Sequence, residues 1–492
     1  MEITAKMLQY WRLYLLMLVL GIGGSFQYGI QLSLIVSPAE HIQSFVNFTW
    51  ILRYGTPVAE STNQLIWSFI VALMSLGAWA GAIHSGSLPV TYGRKKALLI
   101  NNVVAVVAAL LMIFSRMLKS CEMILLGRFL YGYNVGLGLS VQLMYLTESS
   151  PKELRGFLTL TSAIFIGLGK VVSQIIGIKE MMGTEEMWPY LLAIGGIPAI
   201  LQFVMLLFFP ESPRHLYIDR GDTEGSKTAL LWLWQDDNLK LELDDMQREL
   251  ESTHGEKART VKDLLTSRCV RWQLLTLTIP CAGSQFCGIN ALCFYAFDIF
   301  RESGVPDSQL QYWAIGIGAT ELITTTLCSF LIDRAGRKKL MGYGYLLMGV
   351  TMCVLTVTLS MKDRNPQIPY VNIALIFFVI CIFGLGPSGV SFALPADILL
   401  QAWRPSAYVL IGTINWLSVF VIGMLFGYIV KGLGQFCFLF FVAYTFFSGA
   451  FVIFFVPETK GKTPTEITEE FNKLNYKSIE SDSENIEIAT KL

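Results

Sequence analysis

The fold class predicted here is an all-α membrane protein, with twelve transmembrane helices in two six-helix bundles related by pseudo-twofold symmetry and a cytoplasmic helical linker between them. Three observations predict it. The 492 residues are 53% hydrophobic and 15% charged, with a mean hydropathy of +0.53, outside the range of soluble domains. Twelve apolar runs approach or exceed the roughly 20 residues that cross a bilayer as helix. Short motifs of the first half recur in the second, at offsets close to half the chain length.

The runs are approximately 13–36, 64–86, 97–115, 121–145, 157–178, 188–209, 272–296, 310–332, 339–361, 369–394, 404–430 and 435–456. The first begins at Leu13 and runs into Gln27 and Tyr28 without a small-residue cleavage site, so it reads as a retained span, not a signal peptide. An even number of spans puts both termini on one side. Arg94-Lys95-Lys96, Lys152 with Arg155, and Arg334 with Arg337-Lys338-Lys339 all lie in even-to-odd connections, which places those connections and both termini in the cytoplasm. The N-x-S/T sequon Asn47-Phe48-Thr49 falls in the long first loop, on the opposite side, which makes Asn47 the candidate glycosylation site. The expected organisation is a cytoplasmic N-terminus 1–12, a first bundle 13–209, a linker 210–271, a second bundle 272–456 and a tail 457–492. The linker mixes both signs of charge, above all in the helix-like run from Leu239 to Glu249, and reads as a solvated spacer; the acidic end of the tail reads as disordered.

Gly93-Arg94-Lys95 recurs as Gly336-Arg337-Lys338, Glu148 before Arg155 as Asp397 before Arg404, and Pro210-Glu211-Ser212-Pro213-Arg214 as Pro457-Glu458-Thr459-Lys460-Gly461. A duplicated unit predicts a ligand site near the membrane midplane at the repeat interface. The repeated charges sit at the cytoplasmic ends of the spans, and an arginine fork holds two carboxylates at once. Arg94, Arg155 and Arg214 with Glu148 and Glu211, and Arg337 and Arg404 with Asp397 and Glu458, are therefore the expected latch of the outward-facing state; static orientation of loop ends is the competing reading. Gly77-Ala78-Trp79-Ala80-Gly81 and Gly132-Tyr133-Asn134-Val135-Gly136 match G-x-x-x-G and predict close helix packing.

The seventh run carries Ser284, Gln285 and Asn290, with Tyr295 beyond them, in an otherwise apolar stretch. Amides at bilayer depth need partners, which a wet cavity or a neighbouring helix supplies. Groups that both donate and accept, beside an aromatic face, suit a neutral polyhydroxylated ligand better than an ion. Zero formal net charge argues against a nucleic-acid partner. The nine cysteines lie mostly in apolar runs and read as free buried thiols, and the scattered His41, His84, His215 and His254 offer no metal-ligand spacing. With no Walker sequence and no nucleophile–base pairing, neither an ATP-driven pump nor an enzyme is expected, and no cofactor or metal.

Gly93-Arg94-Lys95, Pro210 to Arg214, Gln285 to Asn290, Gly386-Pro387, Arg404-Pro405 and Pro457 to Thr463 together resemble the facilitative hexose transporters of the major facilitator superfamily, in register from about Arg12 to Asn475. Ser25-Phe26-Gln27-Tyr28-Gly29, Trp67, Asn101-Asn102 and Arg404-Pro405-Ser406-Ala407 are similar to its fructose/urate-type (class II) branch, and Ser162 to Phe165 and Phe383 to Pro387 to less characterised members. The resemblance implies uniport of a hexose, fructose and/or glucose, by alternating access across the cell membrane, by a protein functional as a monomer. It implies a central cavity touched by Gln27, Gln174, Gln285, Asn290, Asn415 and Trp416, with Phe392 where many relatives place a floor-forming tryptophan, and Phe294 and Tyr295 in the outer gate. Departures are Ser284 for the first of two glutamines, Ala163 for a sugar-binding glutamine, Gly384 for the glutamate of glucose carriers, Leu292 for Ile or Val, and Val90-Thr91 in the loop after the second span. Each lost hydrogen-bonding group removes about 1 kcal/mol, which predicts weak glucose affinity.

Lys170 and Glu321 fall near the centres of the fifth and eighth runs, where a charge costs at least about 2.5 kcal/mol. Three readings stand: the two pair, Lys170 faces the cavity and attracts an anion such as urate, or the charges snorkel. An organic-anion carrier thus remains an alternative. A proton-coupled symporter is another, although Phe26 to Ile30 holds no acid and leaves Glu321 alone to carry the proton.

Overall fold

Leu-, Val-, Ile- and Phe-rich runs leave the backbone no water to bond inside a bilayer, and a helix satisfies every N–H and C=O within its own segment. The computed structural model describes residues 10–235, 239–253, 261–267, 270–294, 296–302, 304–361, 364–365, 367–398, 403–460, 462 and 466–471, and among them there is helix but no strand. In the first half lie α1 (Trp11–Gly23), α2 (Ser25–Ser33), α3 (Ala39–Tyr54), α4 (Glu60–His84), α5 (Arg94–Met117), α6 (Glu122–Ser149), α7 (Lys152–Ile176), α8 (Trp188–Ala193) and α9 (Gly196–Leu206). The linker carries α10 (Thr223–Trp234), α11 (Lys240–Thr253) and α12 (Val261–Thr266). The second half follows with α13 (Arg271–Phe286), α14 (Ile289–Phe294), α15 (Ala296–Glu302), α16 (Leu310–Ala335), α17 (Arg337–Ser360), α18 (Ile368–Phe383), α19 (Gly389–Ile398), α20 (Arg404–Leu433) and α21 (Phe438–Phe455). Each of the twelve predicted runs contains helix, and among the described residues nine helical stretches are long and apolar enough to cross a membrane.

The described residues group into two compact units. One takes those of Met1–Gly255, Asn290–Ile323 and Val419–Gly434; the other takes those of Glu256–Ile289, Thr324–Ser418 and Gln435–Leu492. In the first, α4 and α6 touch backbone to backbone: a Cβ at Gly132 would overlap the Met74 carbonyl oxygen, one at Gly136 that of Ala78, and one at Gly77 that of Phe129. Both G-x-x-x-G motifs are therefore packing seams. Gly132→Val is expected to lower the thermal midpoint in detergent sharply, by a destabilisation of about 3 kcal/mol or more, because backbone cannot yield to a side chain. Gly412→Ala, whose Cβ meets nothing within 4 Å, is the matched control and should leave the midpoint unchanged or slightly raised. Val103, Val107, Leu110 and Phe114 stand exposed along one stripe of α5, as lipid-facing residues do.

The linker differs from the solvated spacer expected. Leu230, Leu233 and Trp234 of α10, together with Leu239 and Met246, join Leu13, Leu16, Leu20, Val141 and Tyr145 in one buried cluster, and Trp234 Nε1 donates to the Ser149 carbonyl at 2.9 Å. The i, i+3, i+4 apolar spacing explains it: α10 has a face to bury, and α1 and α6 offer the matching surface.

In the second unit, α13 ends before Gly288, whose φ of +90° favours glycine and whose Cβ would crowd Met352 and Phe441 at 3.1 Å. Tyr345 of α17 donates to the Pro280 carbonyl at 2.9 Å and fastens α13 just below that break.

Candidate functional site

Small residues bring α7 against two neighbours at once. A Cβ at Gly29 of α2 would overlap the Ile166 carbonyl oxygen, one at Gly169 of α7 that of Phe26, and one at Gly167 would lie 2.9 Å from Leu322 of α16. Held in that crossing, Lys170 and Glu321 are 5% and 7% exposed, with Nζ 2.6 Å from Oε1. Burial at this level removes water as a partner, so each charge depends on the other. Tyr28 and Cys293 lie within electrostatic reach of the pair. One turn further along α7, Gln174 lines a small pocket with residues of α2, α15 and α16.

In the second unit the amides of α13 and α20 meet: Gln285 Nε2 donates to Asn415 Oδ1 at 2.6 Å and to Ser284 Oγ at 3.1 Å. Trp416, next to Asn415, is buried to 6% exposure. Gln285 is only half-buried, so part of its amide remains accessible. Asn290 is buried in the first unit, and Gln27, fully buried there, donates to the Gly195 carbonyl at 3.0 Å, tying α2 to the turn between α8 and α9. The side chains of Arg155, Phe294, Phe392, Asp397 and Arg404, and all of Tyr295, lie outside the described residues.

At the basic-loop ends, Arg94 gathers an ionic cluster. Nε and Nη2 reach Glu148 Oε1 at 3.2 and 2.7 Å, and Nη1 reaches Asp219 Oδ2 at 2.6 Å, the Pro89 carbonyl at 3.2 Å and His215 Nδ1. Ser212 Oγ donates to the other Glu148 oxygen. Three expected partners behave differently. Arg214 Nη2 reaches Glu242 and Asp245 of α11, both at 2.9 Å, because the linker folds back to present them. Glu211 accepts from the backbone N–H of Lys95 at 2.9 Å, where Gly93 at φ +101° opens α5. Glu458 does the same in the second unit, accepting from Arg337 N at 2.9 Å beside Gly336 at φ +89°. These repeated glutamates are carboxylate caps on helix N-termini, each satisfying otherwise unpaired donors and opposing the positive end of the helix dipole.

Several buried polar residues make contacts to which the sequence assigned no role. Arg128 is fully buried on α6 and donates to the carbonyls of Ile70 and Gln31 at 3.0 Å. Asn101 and Asn134 exchange reciprocal bonds between α5 and α6, each side chain donating to the other's carbonyl at 2.8 and 3.0 Å. Their polarity within apolar runs was the available signal.

A model of the family described as "Sugar (and other) transporter" matches residues 16–471. The chain belongs to that family. Among the transporter's relatives, solute carrier family 2, facilitated glucose transporter member 11 of Homo sapiens is 40% identical over 476 residues, 97% of this chain and 96% of the relative. Member 5 of Equus caballus is 38% identical over 458 residues, covering 93% and 91%, and member 9 of Mus musculus is 37% identical over 458, covering 93% and 85%. The fold is similar to that of the major facilitator superfamily proton:xylose symporter XylE bound to 6-bromo-6-deoxy-D-glucose, with a TM-score of 0.76 at 22% identity over 93% of this chain and 98% of that one. The transporter is thus an all-helical, multi-pass membrane protein of the major facilitator fold and not an enzyme.

On the face of the transporter that holds α3 and the ends of α7 and α16, polar contacts join several elements. Arg301 reaches Glu40 at 3.0 Å and Asp307 at 2.9 Å, Lys179 N donates to Gln311 Oε1 at 3.0 Å, and the Tyr312 hydroxyl donates to Glu180 at 2.8 Å, holding that carboxyl below the usual carboxylate range. Asn47 lies within α3, partly exposed, its Oδ1 accepting from Val58 N at 3.0 Å.

Proposed function

We propose that the transporter carries a neutral hexose, fructose and/or glucose, by uniport across the cell membrane, with both termini cytoplasmic and the halves 13–209 and 272–456 exposing the substrate to each side in turn. The observation that carries this reading is the Gln285–Asn415 amide pair: partly accessible, uncharged, and able to donate and accept toward the vicinal hydroxyls of a sugar. Two further features support it. The buried Lys170 charge is matched by Glu321, which favours a neutral cargo over an anion. The stretch Phe26 to Ile30 of α2 holds no acid to carry a proton, which favours uniport.

Purified transporter in liposomes loaded with a pH-sensitive dye provides the test. Labelled fructose or glucose is expected to enter saturably to equilibrium without a dye response, and labelled urate to enter no faster than into empty liposomes. Gln285→Leu should cut hexose uptake about 10-fold, since it removes the sugar's hydrogen bonds and strands the Asn415 acceptor. Acidification of the lumen on adding sugar would replace uniport by symport, and urate uptake without hexose uptake would overturn the reading.

A further inference from the structure

His215 and Asp219 begin and end a single π-helical turn after α9, and their side chains meet the first residue of α5. His215 is 1% exposed. Its Nδ1 lies 2.7 Å from Asp219 Oδ2 and 2.5 Å from Arg94 Nη1, so one nitrogen faces both an acceptor and a donor. Its Nε2 is buried with no hydrogen-bond partner among the described residues. A Cβ at Gly93 would overlap Glu211 Oε2 and lie 3.4 Å from that Nε2, so carboxylate and ring flank the same α-carbon. The other Glu211 oxygen is already taken, by the N–H groups of Lys95 and Ser212. A neutral imidazole has one proton and can serve only one side. On Nδ1 the proton meets Asp219 and leaves Nε2 bare and buried; on Nε2 it sets the Nδ1 lone pair against the Asp219 carboxylate. Only the imidazolium has a donor for each carboxylate.

The surrounding charges leave room for it. Arg94 and Lys95 of α5 stand against three carboxylates, Glu148 of α6, Asp219 and Glu211, and a protonated ring brings the two signs level. Lys95 is itself bound to the Leu207 and Phe209 carbonyls. Of the other elements packed on the turn, α11 gives Glu242 and Asp245 to Arg214, and α10 carries Glu224 and Lys227 exposed and paired with each other. Arg220, also exposed, donates to the Tyr92 carbonyl. We infer that His215 is a proton sensor on the Arg94 latch: with a proton on each nitrogen the ring bridges Asp219 to Glu211 and ties the turn to the N-terminus of α5. The closed mouth then binds one proton more than the open one, in which the segment after Pro210 has left α5, so acid on this face favours the closed form and slows exchange. Histidine is the side chain whose charge changes within the pH range cells visit. The inference rests on the proposed alternating-access carrier with this face in the cytoplasm, and names its regulation.

The experiment follows equilibrium exchange of labelled fructose or glucose in liposomes holding the full chain, with the same buffer inside and out, from about pH 8 down to about pH 5.5. Wild-type exchange is expected to fall about 5-fold over that range, and His215→Gln to stay within about 2-fold of its own starting rate. Glu211→Gln keeps an oxygen for the α5 cap but not the charge, and should shrink the fall to about 2-fold. Deuterium exchange at the imidazole C2 carbon, read by peptide mass, follows the ring's proton directly. His215 should gain its second proton over the range in which exchange slows, and only at lower pH in Glu211→Gln. The inference is overturned if wild-type exchange stays flat, if His215→Gln slows as steeply as wild type, or if the His215 ring stays neutral throughout. Should His215→Gln fail to fold, Glu211→Gln and the C2 titration decide. A wild type that carries no hexose at all removes the proposed function instead, and the C2 titration with its shift in Glu211→Gln then decides whether the ring bridges the two carboxylates.

Discussion

Lys170→Met is expected to destabilise the transporter by about 3 kcal/mol or more, seen as a marked fall in its thermal midpoint in detergent, and to slow hexose uptake; the Lys170→Met/Glu321→Gln double variant should recover most of the stability. The argument turns on what each change leaves behind. The ammonium and carboxylate stand 2.6 Å apart, at 6% and 9% side-chain exposure, so removing the lysine alone abandons a carboxylate with no water to take over. Removing both charges leaves neutral side chains of similar length in the same space, and such replacements are often close to neutral in free energy. The coupling should therefore be large, at least about 2 kcal/mol in a double-mutant cycle. Its location explains an effect on rate as well. Gly167 and Gly169 press α7 against α16 and α2, so any change that alters the α7–α16 crossing alters a contact between an element of the first six spans and one of the last six. Additive effects of the two substitutions, on both stability and transport, would show that the charges act independently and that the pair is no tether.

How far this arrangement was legible in the sequence depends on the interaction. Span positions were, because lipid imposes a length and a composition on every helix: the run found at 97–115 lies within α5, and that at 339–361 lies in α17 but for its last residue. The glycine seams were too, since G-x-x-x-G states a backbone approach directly, as at Gly77 and Gly132. Lys170 and Glu321 could be named as a candidate pair because charge at mid-bilayer is rare, but their 2.6 Å separation depends on a helix crossing no periodicity encodes. The repeated glutamates show the limit best. Their offset marked Glu211 and Glu458 as equivalent, while the choice between an arginine side chain and a helix N-terminus rests on positive φ at Gly93 and Gly336. The linker was misjudged by its charge: α11 looked like a solvated face, yet Glu242 and Asp245 there receive Arg214, and the apolar face of α10 is buried. The part played by Asp219 and His215 was not legible, because it is defined only once the chain after α9 turns back on Arg94.

At that turn, Arg94→Ala is expected to reduce uptake at least about 10-fold and to lower stability by about 3 kcal/mol, with Arg94→Lys recovering only part of either. The guanidinium serves two carboxylates from separate nitrogens, Nε and Nη2 on Glu148 and Nη1 on Asp219, while also donating to the Pro89 carbonyl. A lysine has the charge but not the fork, so from one position it can satisfy Glu148 or Asp219 well, and not both together with Pro89. Without the arginine, Glu148 keeps Ser212 and Asp219 keeps His215, but two negative groups then share a half-buried site with no cation between them. Repulsion would drive the end of α6 from the segment after Pro210, which is the motion expected when this mouth opens. Arg94→Ala should therefore displace the exchange toward the open form, and adding Glu148→Gln, which removes one of the stranded charges, should restore part of the stability without restoring the rate. Measuring uptake and the thermal midpoint for all three proteins separates the possibilities: a static clip predicts that rate and stability recover together, whereas a latch that must form and break in each cycle predicts that stability returns and transport does not.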